Sequence, residues 1–381
     1  MKVSIIVPLY KGKKYLKSIL DEVNSCVENV VTADVELVLV NDFPDEYIEV
    51  DREGHEFEVK IINSSQNHGI HGARVKGLKQ CTGDYILFLD QDDKIIPSYI
   101  SSQLACIGNA DAVVCRAIHN KKQHYTDSHV FEEVITKKFM FEKWCPIVSP
   151  GQVLIKKIAI PQVWLDNILS VNGADDYFLW LSMMAEDRTF ALNQEILFEH
   201  VVNGMNVSGN SNQMMDSEQE MIQLLLNKLA LSEYEKICLK KLPDSLRKIH
   251  IKELDNYKHA YGVMSSWISF LQNGKAPSSF LLKKGIKKVA VYGAGDSGKS
   301  IANLLKNSEL EVLFFIDRNA KYINLEVPAY TIDEAEDIME GIIISLEREC
   351  EEIKRDLRKK FNCPIYQIDE IFNELSHFKV D

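Results

Sequence analysis

Over the first 90 residues, short apolar runs alternate with stretches whose apolar positions recur at three- and four-residue spacing. Val3–Val7, Val35–Val40, Val59–Ile62 and Tyr85–Leu89 read as strands, with helices from about Lys14 to Val27 and from Gly72 to Gln80. Tyr85-Ile-Leu-Phe-Leu89 is apolar without alternation, which places it inside a sheet covered on both faces. This order predicts an α/β domain with a mostly parallel sheet and helices on both sides. From Ser98 the pattern is more mixed, with strands at Ala112–Arg116, Gly151–Ile155 and Glu195–His200 and a helix at Asp175–Ala185. Asn206–Asn212 is rich in Ser, Asn and Gly and reads as a loop. Ser217–Ala230, Ser232–Lys241 and Ser245–Asn273 then follow helical spacing. A second α/β unit begins at Lys287: Val289–Tyr292, a helix through Leu305, Val312–Ile316, Gly341–Ser345, a helix at Glu349–Lys360, and Pro364–Ile368. The expected domains are therefore 1–210, a helical connector over 211–280, and 281–381, without internal repeats.

The 381 residues, 46% hydrophobic and 26% charged, suit a globular protein of two to three domains. A net charge of -12 argues against nucleic-acid partners, so an anionic ligand must be met locally by metal, arginine or helix amino ends. Eight cysteines, at 26, 81, 106, 115, 145, 238, 350 and 363, form no C-x-x-C and no metal-finger spacing, and read as thiols of a reducing cytoplasm. The apolar run in MKVSIIVPLY is too short for an export signal and reads as a first strand. No run of about 18 apolar residues is present, so no membrane span is expected. Phe280-Leu-Leu-Lys-Lys-Gly-Ile-Lys-Lys288 reads as a linker, with peripheral contact to anionic lipid as the alternative.

The chemistry concentrates after the strand at 85–89. Asp90, Asp92 and Asp93 would repel one another at the carboxyl edge of a sheet unless a cation or solvent relieved them, and that edge is where open α/β sheets bind ligands. A hard divalent ion, shared with a substrate's phosphates, is the simplest such cation. In Asp90-Gln91-Asp92 the period-two geometry of a strand sends both carboxylates to the same side.

Val3-Ser-Ile-Ile-Val-Pro-Leu-Tyr10, Asn41-Asp42, the run from Asn67 through Gly69, Ala73-Arg74 and Gly77-Leu78, Gly83-Asp84-Tyr85, Asp90-Gln-Asp92-Asp93 and Gly173-Ala-Asp175-Asp176 occur in order over about 210 residues. Together they resemble the family 2 glycosyltransferases of the GT-A fold. The resemblance implies inverting, metal-dependent transfer from a nucleotide-diphosphate sugar, with UDP favoured, to a hydroxyl of a glycan or lipid-linked acceptor. It implies a cytoplasmic protein working at the inner membrane face. Asp42 would then accept from the base N–H, with Pro8 and Tyr10 against the same ring. Arg74 would pair with a diphosphate or with Asp42 through a fork that lysine lacks, the alternative being an arginine that merely caps the sheet. Asp90 would reach ribose or metal-bound water and Asp92 would bind Mn2+ or Mg2+ directly, the ion offsetting charge on the departing diphosphate.

Inverting displacement also needs a base opposite the leaving group. The family places an acidic pair before an aromatic and Leu-Trp run, and Asp175-Asp176-Tyr177-Phe178-Leu179-Trp180 fits, with Asp for the usual Glu at the first place. The second member, Asp176, is the implied base, with a helix cap as the alternative role for either acid. Trp180 would floor the acceptor pocket or pack in the core. In one departure, Asn203 stands where many relatives carry a histidine that helps hold metal or diphosphate, and His200 comes three residues early.

Gly293-Ala-Gly295-Asp-Ser-Gly298-Lys-Ser300 satisfies both G-x-G-x-x-G and G-x-x-x-x-G-K-S. Asp317 ends the next strand, as a ribose-binding acid would, and a unit of about 100 residues is short for a phosphate-loop NTPase, which favours a Rossmann-like reading. The unit resembles small Rossmann-like domains fused to sugar-modifying enzymes. Three roles stay open for it: holding a nucleotide or NAD, building a homo-oligomer, or using its glycines only for tight packing. A nucleotidyltransferase and a non-catalytic nucleotide-binding scaffold are the competing readings of the whole chain.

Overall fold

A computed structural model describes residues 1–381 apart from 31, 51–54, 120–121, 125–127, 202–209, 273–276, 307, 324, 346–349 and 378–381. The chain forms two compact units, Met1–Lys252 and Glu253–Asp381.

The first unit is built on strands β1 (Lys2–Leu9), β2 (Asp34–Asn41), β3 (Glu58–Asn63), β4 (Tyr85–Phe88), β5 (Lys94–Ile95), β6 (Ala112–His119), β7 (Lys122–His124), β8 (Val153–Lys156) and β9 (Phe190–His200). Their order is β3-β2-β1-β4-β8-β6-β9-β5, with β7 on β6. β3, β2, β1 and β4 are parallel, β8 is antiparallel to both its neighbours, and β6 pairs parallel with β9. The expected mostly parallel mixed sheet is therefore present. Its helices are α1 (Leu16–Val27), α2 (Gly69–Gln80), α3 (Tyr99–Ile107), α4 (Ser128–Val134), α5 (Lys137–Glu142), α6 (Gln162–Asp166), α7 (Asp175–Ala185) and α8 (Ser211–Lys228).

Strand alternation distributes the core over both faces. Val3, Ile5, Val7 and Leu9 pack with Leu37, Leu39 and α1, whereas Ile6 packs with Val38, Val40, Phe88, α2 and α7 on the other face. Gly77 is needed beneath α2, because a Cβ there would lie 2.5 Å from Ile6 Cγ2. A buried acid ties the amino edge together: Glu36 accepts from Ser4 Oγ (2.6 Å), Lys60 Nζ (2.8 Å), Thr82 Oγ1 (2.9 Å) and the amides of Thr82 and Gly83.

The helical stretch differs from expectation in one respect. Ser232–Lys241 and Ser245–Asn273 were separated by Pro243, yet α9 runs unbroken from Glu233 to Gln272 with Pro243 inside it. Leu239, Leu242 and Leu246 on either side of the proline are buried in the same core, so packing outweighs the lost backbone bond. α8 likewise adds Met221, Ile222 and Leu225 to the core of the first unit. Among the described residues, no helix is long and apolar enough to cross a membrane.

The second unit contains α10 (Pro277–Lys283), β10 (Lys288–Tyr292), α11 (Asp296–Lys306), β11 (Glu311–Ile316), β12 (Ala329–Tyr330), β13 (Gly341–Ile344), α12 (Cys350–Lys360), β14 (Ile365–Gln367) and α13 (Ile368–His377). The stretch read as a linker into the second unit is in part helical, since α10 buries Phe280 and Leu281 against α13. Its sheet is all parallel in the order β12-β11-β10-β13-β14, so the order reverses direction between β10 and β13.

Candidate active site

The carboxyl ends of β2, β1 and β4 lie side by side and carry most of the polar residues singled out above. β4 ends at Phe88, after which Leu89 N–H still bonds Ile6 O (3.0 Å) and Asp93 N–H turns back onto Asp90 O (3.1 Å). Asp90 to Asp93 thus form a turn, and the alternation argument for Asp90 and Asp92 does not apply past Phe88. Gln91 fastens this turn to the end of β1: its Oε1 accepts from Tyr10 N–H (3.1 Å) and its Nε2 donates to Tyr10 O (3.2 Å).

Asp93 and Asp90 are relieved by the protein itself. Asp93 points inward, where it accepts from Ser149 Oγ (2.6 Å) and Val201 N–H (3.0 Å) and pairs with His200 Nδ1 (2.8 Å). Burial lowers the proton affinity of His200 but the Asp93 contact outweighs it, and the net shift is upward. Its ring lies parallel to His119, centroids 5.2 Å apart. His200 is therefore more than the end of a strand. Asn203 lies outside the described residues.

Asp90 is relieved by Arg74. Glycine at 69, with φ +75°, turns the chain into α2, and the following turn buries Arg74 to 2% exposure. Nη2 of Arg74 contacts Asp90 Oδ1 and Nη1 contacts Asp175 Oδ2. The expected pairing with Asp42 is not formed, because Asp42 is taken by His68: its oxygens accept the His68 amide (2.9 and 3.0 Å) and face Nδ1 (3.2 Å). Burial opposes the charge on Arg74, but Asp175 and Asp90 outweigh it and hold the guanidinium protonated. Burial lifts Asp90 to about 6 against the pull of Arg74, still ionised at neutral pH. Arg74 is a bridge between the end of β4 and the start of α7.

That bridge separates the roles of the acidic pair. Asp175 is 2% exposed and held by Arg74, whereas Asp176, the next residue in the first turn of α7, is half-buried. Its carboxylate caps its neighbour's amide, Tyr177 N–H to Oδ1 at 2.7 Å. Burial first, and Asp175 second, push Asp176 up to about 7, partly offset by Arg74. A carboxylate titrating there at neutral pH suits a general base. Trp180 is fully buried in the core, so the pocket-floor alternative is not realised.

Around Asp42 the surface is aromatic. Pro8 is buried within β1, while Tyr10 is 49% exposed and meets Phe43 edge-on at 5.2 Å, with Lys11 Nζ 5.3 Å from the Phe43 ring. Phe43, His68 and Gln91 carried no motif and were not singled out from the sequence. A Phe after Asn-Asp and a His before the glycine turn were the available signals.

Among the described residues, no group of three or more His, Cys, Asp and Glu is arranged to hold a metal. The donor set is nonetheless of the right kind for Mn2+ or Mg2+: the half-buried carboxylates Asp90 and Asp92 at a sheet edge are hard oxygen ligands. Asp92 and Asp90 are thus the residues that would hold the ion, with Asp93 removed from the set by Ser149 and His200.

In the second unit, Asp317 accepts from Ala294 N–H (2.8 Å) and Asn319 N–H (2.8 Å) and fastens the glycine turn to the end of β11. Gly293 has φ +93°, and a Cβ on Gly298 would stand 1.8 Å from Gly293 O, so both are required by the turn itself. Nothing lies within 4 Å of a Cβ on Gly295. These contacts give Gly293, Gly298 and Asp317 a packing role in the turn.

Residues 4–160 match the sequence model of glycosyl transferase family 2, and residues 285–368 match that of C2185-like, N-terminal. Dolichol-phosphate mannosyltransferase of Pyrococcus furiosus is 23% identical over 165 residues, 43% of this chain and 42% of that protein. The putative glycosyltransferase EpsH of Bacillus subtilis is 29% identical over 122 residues, 30% of this chain and 33% of that protein. The chain thus spans less than half the length of these two relatives. Among solved structures, TarS 1-349 of S. aureus in complex with UDP-GlcNAc is 17% identical, with a TM-score of 0.46 over 63% of this chain and 70% of that one. Over residues 4–160 the chain is thus similar to glycosyl transferase family 2.

Proposed function

We propose that the protein transfers a sugar, with inversion, from a nucleotide-diphosphate sugar to a hydroxyl of a glycan or lipid-linked acceptor, with a UDP-sugar as the first donor to test. The observation that carries this reading is the half-buried Asp176, left to act as a base because Arg74 occupies its neighbour Asp175. In the reaction, the acceptor oxygen attacks the anomeric carbon, the bond from that carbon to the diphosphate oxygen breaks with its electron pair, and Asp176 takes the hydroxyl proton. Tyr10 offers an exposed and Phe43 a half-buried aromatic face to the base, and Asp42, oriented by His68, offers an acceptor for its N–H. Asp92 and Asp90 would hold Mn2+ or Mg2+, which when bound supplies charge neutralisation for the departing diphosphate. Work at the inner membrane face would suit a lipid-linked acceptor.

The test is a panel of UDP- and GDP-sugars with Mn2+ or Mg2+, scored for diphosphate release with and without chelator. Release that needs one donor and the metal is the expected result. Release unaffected by excess chelator refutes the metal assignment, and full turnover by Asp176→Asn refutes the base. No release with any donor, alongside tight nucleotide binding by the carboxy-terminal glycine loop, turns the reading toward a nucleotide-binding scaffold.

A further inference from the structure

The N-cap position of α7 supplies no side-chain bond. The residue there is Ala174, which has no side-chain oxygen to offer the first turn. The Ala174 amide is instead taken by Ser217 Oγ of α8 (2.9 Å), and the same hydroxyl donates to Val171 O (2.8 Å). Ser217 is fully buried, so this hydroxyl is shielded from bulk water. One turn further along α8, Glu220 accepts from Ser170 N–H (2.9 Å), Ser170 Oγ (2.9 Å) and Val171 N–H (3.3 Å). Gln213 Nε2 adds a bond to Asn172 O (3.1 Å).

The backbone lies directly on the helix at this point. Gly173 has φ +150°, and a Cβ there would stand 2.7 Å from Met214 Sδ and 3.3 Å from Ser217 Cβ. The loop in turn caps the helix that carries Arg74, because Asn172 Oδ1 accepts the Ile70 N–H in the first turn of α2 (3.0 Å). The segment 170–174 therefore joins α8, the start of α7 with Asp175 and Asp176, and the start of α2.

We propose that α8 is part of the active site: Ser217 and Glu220 are positioning residues that fix the first turn of α7, and so the place of Asp176, through the loop 170–174. This rests on Asp176 being the base of the proposed transfer. In this role they act through the loop. An error of about 1 Å in a catalytic group costs on the order of 100-fold in rate, so loss of one anchor is expected to lower kcat about 10- to 100-fold while the KM for donor, bound at the β1–β2–β4 edge, changes less than about twofold.

The experiment compares wild type with Ser217→Ala, Glu220→Ala and Glu220→Gln in the full chain. Hydrogen exchange over 169–176 is measured beside transfer kinetics. In the wild type these amides are expected to be protected. They should exchange faster in Ser217→Ala and Glu220→Ala, with the drop in kcat at unchanged donor KM, while Glu220→Gln, which keeps an acceptor oxygen, retains most of both. Unchanged exchange and kcat in folded Ser217→Ala and Glu220→Ala overturn the proposal, as does a fall in kcat matched by an equal rise in donor KM. Failure of the transfer reading is told apart by wild type that releases no diphosphate from any donor, and the exchange data then still decide whether α8 holds the loop.

Discussion

Replacing Asp175 by Asn tests the division of labour within the acidic pair. Asp176 is pushed up to about 7, by burial first and by the Asp175 charge second, with Arg74 pulling the other way. The substitution removes the Asp175 charge and leaves Arg74 with one carboxylate fewer to neutralise it, and both changes favour ionised Asp176. A like-charged neighbour commonly shifts a carboxylate by about one unit or more, equal to about 1.4 kcal/mol, which would bring Asp176 to about 6. A base titrating at about 7 is about one-tenth ionised at pH 6, and one titrating at about 6 is about half ionised. The ratio of kcat/KM for donor at pH 6 to that at pH 8, at saturating acceptor, should rise from about 0.1 in the wild type to about 0.5 in Asp175→Asn. The rate at pH 8 should fall, because Arg74 loses one of its two anchors and α7 one tie to α2. An ascending limb that stays in place, or moves to higher pH, refutes the reasoning, since no arrangement in which Asp176 is the base and Asp175 its charged neighbour predicts it.

Arg74→Lys should lower kcat about 100-fold, because a single ammonium cannot bridge Asp90 and Asp175 as the guanidinium fork does, and activity within about threefold of wild type would show the bridge to be dispensable. Glu36→Gln should cost about 3 kcal/mol in urea unfolding at pH 7, as a buried carboxylate loses its charge against Lys60 and Lys2. Burial works against ionised Glu36, yet its bonds to Lys60, Ser4, Thr82 and Lys2 hold its proton affinity well below the usual range. The stability it contributes is therefore present above its unfolded value of 4.5 and lost as pH falls below it, so the gap between wild type and variant should narrow under acid. Gly69→Ala should destabilise by about 1–3 kcal/mol, since φ is +75° and its Cβ would meet Asn172 Oδ1 at 2.6 Å, and an unchanged Tm would contradict this.

The longer strands of both sheets were legible because unalternated apolar runs such as Tyr85–Leu89 have one sensible place in a covered sheet, and β1 to β4 are found where the periodicity put them, whereas the two- and three-residue strands β5, β7 and β12 are too short to carry a pattern. The helices of 128–142 and 162–166 were not, being short and packed by contacts distant in sequence, such as Trp164 Nε1 to Asp175 O at 2.8 Å. The connection at Pro243 misled for the opposite reason: a local breaker was overruled by leucines on both sides that share one core. Motifs supplied the candidate residues, but partner choice escaped the sequence. Whether Arg74 meets Asp42 or Asp175 depends on where residues 101 positions apart come together, and no spacing rule encodes that.

The same shift from motif to partner changes the electrostatic argument for a metal. Three clustered acids after β4 call for relief by a cation or solvent, yet Arg74 meets Asp90 and His200 meets Asp93. The cluster can therefore stand folded without an ion, which turns the metal from a structural need into a consequence of substrate charge. Asp90, Asp92, Asp93, Asp175 and Asp176 still face Arg74 and His200, and a nucleotide diphosphate would add further negative charge beside them. A divalent ion arriving with the donor would restore the balance at that moment. Donor and metal should accordingly bind with mutual dependence, each raising the other's affinity by the same factor.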